Sequence, residues 1–216
     1  MAFETYTLNL GLAQTNCYLL GDSETGDCIM IDPVDEPETL LKAIQDHGWT
    51  LKLVLATHGH FDHILASKGV IEATGVPFYI HHADLPFVER LSETGLRFVG
   101  HRWPDAAKPT RLLTDAPEII ELGKFRLHTL FTPGHAPGHI AFYWPDERVV
   151  FSGDALFKGT VGRTDIPGAN HDMLMQSIFD KLLTLPDETS VLPGHGTPTT
   201  ILAERKSNPF ILSYQP

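Results

Sequence analysis

The chain has 216 residues, 42% hydrophobic and 20% charged, with a formal net charge of −11 that counts its 12 histidines as neutral. That is enough apolar material for one sizeable core or two fused half-units, and residues 1–216 are read as a single domain. The acidic balance, without any Lys/Arg-dense run, excludes a nucleic-acid partner, and the lack of a membrane-length apolar run or a signal-peptide layout points to a soluble cytoplasmic protein with no membrane partner.

In chain order, Tyr6, Leu8 and Leu10 alternate with polar neighbours as an opening strand. Asn16–Leu20 and Cys28–Ile31 read as the next two, on either side of a turn-rich stretch. Cys17 and Cys28 lie in those strands without CxxC spacing and are expected as buried, reduced thiols. Asp35 to His47 reads as a helix, with Asp35 and Glu38 at capping-box spacing and Gly48 as its close. The apolar run 51–56 is a buried strand that leads into Thr57-His58-Gly59-His60-Phe61-Asp62-His63, where four metal-capable side chains fall within six positions. His58 and His60 have the same-side spacing of an extended segment, and Gly59 lets the chain bend between them. Asp62 and His63 leave in another direction as the chain turns toward a helix, so the spacing suggests two metals.

A second helix is expected over Ala66–Thr74 and a short strand over Val76–Ile80, with His81 and His82 as surface residues. Helix continues to Gly95; the connection 96–109 is long, and its Phe98–Trp103 part either borders a substrate groove or is an ordinary packed or self-association loop. From near Glu118 the chain again places metal-capable residues after strand-like runs: His135 after 125–131, Asp154 after 149–151 and His195 after 190–192. His139 follows His135 too closely for an obvious ligand and is assigned a supporting role. A loop carrying Lys158, Arg163 and Asp165 precedes a helix capped by Asn170 and running to about Leu185, with Met173 and Met175 as packing residues. The tail from Thr199 reads as a short helix followed by an extended end at Asn208-Pro209, and His47, His128 and His171 have no metal-like context.

His58-Gly59-His60-Phe61-Asp62-His63, then His135, Asp154 and His195, resemble in order the ligand set of the metallo-β-lactamase superfamily. The segment 158–165 and Asn208-Pro209-Phe210 resemble the short hydroxyacylglutathione hydrolase-like proteins, glyoxalase II relatives of the bacterial type. The resemblance implies an α/β fold, a four-layer αββα sandwich. It puts His58, His60 and His135 on a first metal, Asp62, His63 and His195 on a second, and Asp154 between them. Asp32 resembles the aspartate that supports the metal loop, with a plain turn residue as the other reading. Two divalent metals are implied, Zn²⁺ as the first expectation and Fe or Mn also suited to imidazole and carboxylate donors.

The implied reaction is hydrolysis of a small thioester such as S-lactoylglutathione to a 2-hydroxy acid and glutathione. A water activated by the two cations and oriented by Asp62 makes a side-chain nucleophile unnecessary. A thiol, with a reference pKa of about 8.5, leaves without help from a placed acid. Arg163 occupies the place of a basic glutathione-binding residue, and Lys158 lies in the same loop. The chain departs from the long enzymes in having Asp165 where they carry a tyrosine and in lacking their helical glutathione-binding domain, so a related short thioester is an alternative substrate. Other readings are a mononuclear iron persulfide dioxygenase with a similar Gly-Arg-Thr-Asp segment, a metallo-hydrolase of another small ester or β-lactam, and a silent metal-binding protein. The sequence leaves oligomeric state open.

Overall fold

The six strands that open the chain pair in sequence order. β1 (Phe3–Leu10), β2 (Thr15–Asp22) and β3 (Asp27–Ile31) form an antiparallel meander, which β4 (Thr50–Leu55), β5 (Phe78–His81) and β6 (Arg111–Leu113) extend in parallel. Each parallel step requires the chain to travel back along the sheet, and helices make those returns: α1 (Pro37–Asp46), then α2 (Phe61–Ile64) with α3 (Ser67–Thr74), then α4 (Leu85–Glu89) with α5 (Leu91–Phe98). The described residues are 3–214, in a computed structural model that divides into two compact units, one up to Leu113 and one from Thr114. In the first, Cys17, Leu19, Met30, Val54, Phe78 and Ile80 are fully buried in one cluster. Large apolar side chains so placed contribute about 1.5–3 kcal/mol each.

The second unit is a meander of β7 (Ile119–Leu122), β8 (Phe125–Phe131), β9 (Ile140–Trp144) and β10 (Val149–Gly153), followed by a small hairpin of β11 (Leu156–Phe157) and β12 (Thr160–Val161). After α6 (His171–Ser177), β13 (Ser190–Pro193) returns to lie parallel to β10, and β14 (Thr199–Thr200) forms the sheet edge. α7 (Ile201–Ser207) and α8 (Pro209–Ser213) end the described chain. Among the described residues, no helix is long and apolar enough to cross a membrane.

Several local expectations are corrected. The capping box at Asp35 does not form: Glu36 takes a left-handed conformation (φ 52°), Pro37 starts α1, and Asp35 accepts the Glu36 N–H instead. His81 is completely buried, with Nδ1 accepting the Ala83 N–H, while its neighbour His82 is exposed as expected. Gly95 does not stop its helix, since α5 continues to Phe98. A Cβ there would lie 2.6 Å from the His101 carbonyl and 2.7 Å from the Trp103 nitrogen, so this glycine marks where the following loop crosses the helix. The helix after Asn170 changes at Ile178–Leu182 to a wider π turn, and Met173 is 46% exposed although Met175 is buried. The expected extended end is α8, because the Asn208 side chain accepts the Phe210 N–H at 3.0 Å and Pro209 occupies the first helical position.

Cys17 and Cys28 are free and buried, as expected. Burial raises the Cys17 thiol well above its ordinary pKa and pushes Cys28 up to about 12, so both stay protonated and unreactive at neutral pH.

Trp103 both packs against the core and lines a cavity shared with Thr15, Phe61 and Asp62, so the groove reading and the packing reading both stand. The Phe98 side chain lies outside the described residues. Trp103 is 9% exposed and stacks on Phe61, with ring centroids 4.7 Å apart. Trp103→Ala is therefore expected to cost about 3–5 kcal/mol in denaturant unfolding; a loss below about 1 kcal/mol would remove the loop from the core.

Candidate metal centre

Within each unit, metal-capable side chains lie close to one another. In the first, they lie beyond the carboxyl ends of adjacent parallel strands, where chain direction leaves open positions for a site. Asp32 follows β3, donates its N–H to the Leu55 carbonyl at the end of β4 and holds φ at 56°, a left-handed conformation that aspartate tolerates better than most residues. Its carboxylate is 1% exposed and takes three bonds: Thr57 N–H at 2.6 Å on Oδ1, and the Thr57 hydroxyl and His63 Nδ1 at 2.8 Å each on Oδ2.

These bonds decide which histidine nitrogens remain basic. The single hydroxyl proton of Thr57 goes to Asp32, so Thr57 Oγ1 accepts from His58 Nδ1 at 3.1 Å. His58 and His63 both carry their proton on Nδ1, which makes Nε2 the lone-pair atom a metal needs. The ring of His58, fully buried, is 4.1 Å from that of His63 and 4.6 Å from that of His60, centroid to centroid. His60 rests edge-on against Phe87. Asp62 Oδ2 accepts the Thr15 hydroxyl at 2.9 Å and stands 3.6 Å from His63 Nε2.

In the second unit, His135 lies in the turn after β8, where Gly134 has φ 134° and packs so closely on α6 that a Cβ would meet the Leu174 nitrogen at 2.2 Å. His135 Nδ1 donates to the Arg163 carbonyl at 2.9 Å, which again leaves Nε2 as the basic nitrogen. Asp154 follows β10, and His195 follows β13. One oxygen, Asp154 Oδ2, is 3.5 Å from His135 Nε2 and 3.4 Å from His195 Nε2. His139 is completely buried and accepts the Asp154 N–H on Nε2 at 3.0 Å while Nδ1 donates to Thr132 Oγ1 at 2.8 Å. Both its nitrogens are thus engaged, one by the Asp154 backbone and one by the Thr132 hydroxyl. His195 is about one-third exposed, the most accessible of these imidazoles.

The donor set fits divalent metals. Two ligands on a tetrahedral ion at about 2.1 Å stand roughly 3.4 Å apart. The three N···O separations above, 3.4, 3.5 and 3.6 Å, match that value. For the lone-pair nitrogen of His135 facing a carboxylate oxygen, a shared cation turns an acceptor–acceptor approach into an attraction. Imidazole with carboxylate suits several divalent metals.

Lys158 and Arg163 are exposed. Arg163 is held by Asp165 through two parallel bonds, Nε to Oδ1 at 2.8 Å and Nη2 to Oδ2 at 2.9 Å. Each raises or lowers its partner in the expected sense, Arg163 holding the Asp165 carboxyl below its usual value and Asp165 raising the guanidinium. Gly162 must be glycine, because a Cβ would stand 1.9 Å from the Asp154 carbonyl.

Three supporting residues gave no signal in the sequence. Asp84, fully buried, accepts the Gly59 N–H at 2.8 Å and so fixes the bend between His58 and His60. Thr15 bonds Asp62, and Glu204 bonds the loop that carries Arg163. All three reach across 25 to 47 residues of chain, beyond any local spacing rule.

The profile of the Metallo-beta-lactamase superfamily matches residues 10–195. The chain is 41% identical over 201 residues to the hydroxyacylglutathione hydrolase GloC of Haemophilus influenzae, covering 93% of this chain and 94% of that protein. It is 40% identical over 205 residues to the probable metallo-hydrolase YqgX of Bacillus subtilis, with 94% of each covered. Among solved structures, TTHA1623 in a di-iron-bound form superposes with a TM-score of 0.84 at 43% identity, covering 95% of this chain and 99% of that one.

Proposed function

Because this chain belongs to the metallo-beta-lactamase superfamily, whose metallo-hydrolases include its relatives, we propose that it is a metal-dependent hydrolase of a small thioester, S-lactoylglutathione or a close analogue. The observation that carries the reading is Asp154 Oδ2, one carboxylate oxygen at ligand–ligand distance from two histidines. The proposed ligands are His58, His60, Asp62, His63, His135, Asp154 and His195, and the ions are Zn²⁺ first, with iron kept in the set by the di-iron relative. When bound, such ions lower the pKa of water toward 7 and polarise a carbonyl.

The chain's own residues supply position and proton control. Thr57 and Asp32 hold the His58 and His63 rings in one tautomer, and the Arg163 carbonyl does so for His135. Asp62, steadied by Thr15, contributes a carboxylate oxygen and orients the attacking water. The leaving thiol departs as thiolate and asks no acid of the protein. Arg163 and Lys158 are the proposed contacts for an anionic end of the substrate. Arg163 would use the guanidinium edge that Asp165 leaves open, since Nε and Nη2 are already engaged. A small-molecule partner and a cytoplasmic setting complete the reading, the latter in keeping with two free thiols.

The test measures metal per chain and S-lactoylglutathione turnover on one sample. About two divalent ions, thiol release that a chelator abolishes and added Zn²⁺ restores, is the expected result. One iron with oxygen consumption on glutathione persulfide, and no thioester turnover, would move the protein to the dioxygenases.

A further inference from the structure

Glu204, on α7, is 1% exposed and has no place in the ligand set. Its two oxygens receive three donors: Gly159 N–H and Asn208 Nδ2 on Oε2, each at 2.8 Å, and the Thr199 hydroxyl on Oε1 at 2.6 Å. Asn208 passes a second amide hydrogen to the Thr160 carbonyl at 3.1 Å. A buried carboxylate is costly unless its lone pairs are filled, and here they are filled by the turn of the β11–β12 hairpin, by Thr199 on β14 and by the segment that leads into α8.

The other end of that hairpin is fastened to the candidate ligands. Gly162 donates to the Ala155 carbonyl at 3.2 Å and packs against the Asp154 backbone too tightly for a Cβ. The next residue, Arg163, offers the carbonyl that takes the His135 Nδ1 proton. The hairpin is therefore gripped at its tip by Glu204 and Asn208 and at its base by Asp154 and His135. We infer that Glu204 and Asn208 are positioning residues for His135, which set through this hairpin the place of the Arg163 carbonyl and of the Lys158 side chain at the tip. The inference rests on the metal-hydrolase reading for its effect on activity, while its effect on His135 stands without it.

The experiment compares Glu204→Ala, Glu204→Gln and Asn208→Ala with the native chain. Three quantities are read: exchange of the His135 Nδ1 proton by NMR in ¹⁵N-histidine protein without metal, zinc affinity against a competing chelator, and KM and kcat separately. Glu204→Ala and Asn208→Ala are expected to speed exchange of the His135 proton and to weaken zinc by about 10- to 100-fold, the usual effect of losing an outer partner of a ligand. Glu204→Gln keeps an acceptor for Gly159 and is expected to recover most of both losses. If Glu204→Ala does not fold, Asn208→Ala, which spares the carboxylate and its Gly159 and Thr199 bonds, carries the same comparison. Unchanged His135 exchange together with zinc affinity within twofold of the native chain, in a variant that only unfolds more easily, would overturn the proposal. A native chain that binds no zinc and turns over no thioester would instead overturn the hydrolase reading, with the His135 proton still reporting on the hairpin.

Discussion

Asp154→Ala is expected to lower thioester hydrolysis by more than about a thousandfold, an effect at least as large as losing one preorganised electrostatic contact to the transition state. The Asp154 side chain is nearly buried, and one of its oxygens serves two histidine neighbours, so its loss removes a donor from both at once. The variant should also lose metal, measured per chain after gel filtration. Its fold should survive, because the Asp154 N–H that His139 accepts is a backbone group and is untouched. Low activity with an unchanged unfolding midpoint is thus the expected pair of results. Turnover within tenfold of the native chain would remove Asp154 from the centre.

Asp32→Ala is expected to damage both stability and metal binding. It removes the acceptor of three bonds from a side chain that is 1% exposed, leaving the Thr57 N–H, the Thr57 hydroxyl and the His63 imidazole without it. Breaking such a buried charged cluster costs about 3–5 kcal/mol, and loosening His63 should weaken metal by about 10- to 100-fold. Asp32→Asn separates two causes. Asparagine accepts the left-handed backbone at this position nearly as well as aspartate, but one of its two terminal groups is an NH₂ that cannot receive a proton. It should rescue part of the stability and little of the metal affinity. An Asp32→Asn protein equal to the native chain in both denaturant unfolding and metal content would show that the carboxylate is not needed.

Much of the candidate site could be read from the sequence because its parts obey short-range rules. His58, His135, Asp154 and His195 each follow an apolar strand, and a strand end is a reproducible place in a sheet. For Asp32 the local pattern gives only a turn after β3, and its supporting role comes from the family resemblance. What escaped was set by tertiary contact. Asp84 and Glu204 look like ordinary surface acids until the chain folds and their donors arrive from distant segments. His81 was misplaced for the same reason: its neighbour is exposed, and only packing hides it. Gly95 carried a true signal that has two physical meanings, a helix stop or a close crossing, and local sequence does not separate them. At the start of α1, Pro37 and the left-handed Glu36 offer another way into the helix than the side-chain cap.

The strand orders of the two sheets also bear on how the protein is made. In the first unit every strand bonds to its neighbour in sequence, so the sheet can grow by successive addition while the chain is still being synthesised. The second sheet has a single break in that order, where β10 must wait for β13 across the intervening hairpin and α6. Loop closure costs more as the loop lengthens, so the pairing of β13 with β10 is expected to be the slow step of the second sheet, and the delivery of His195 to its strand end is expected to share that delay.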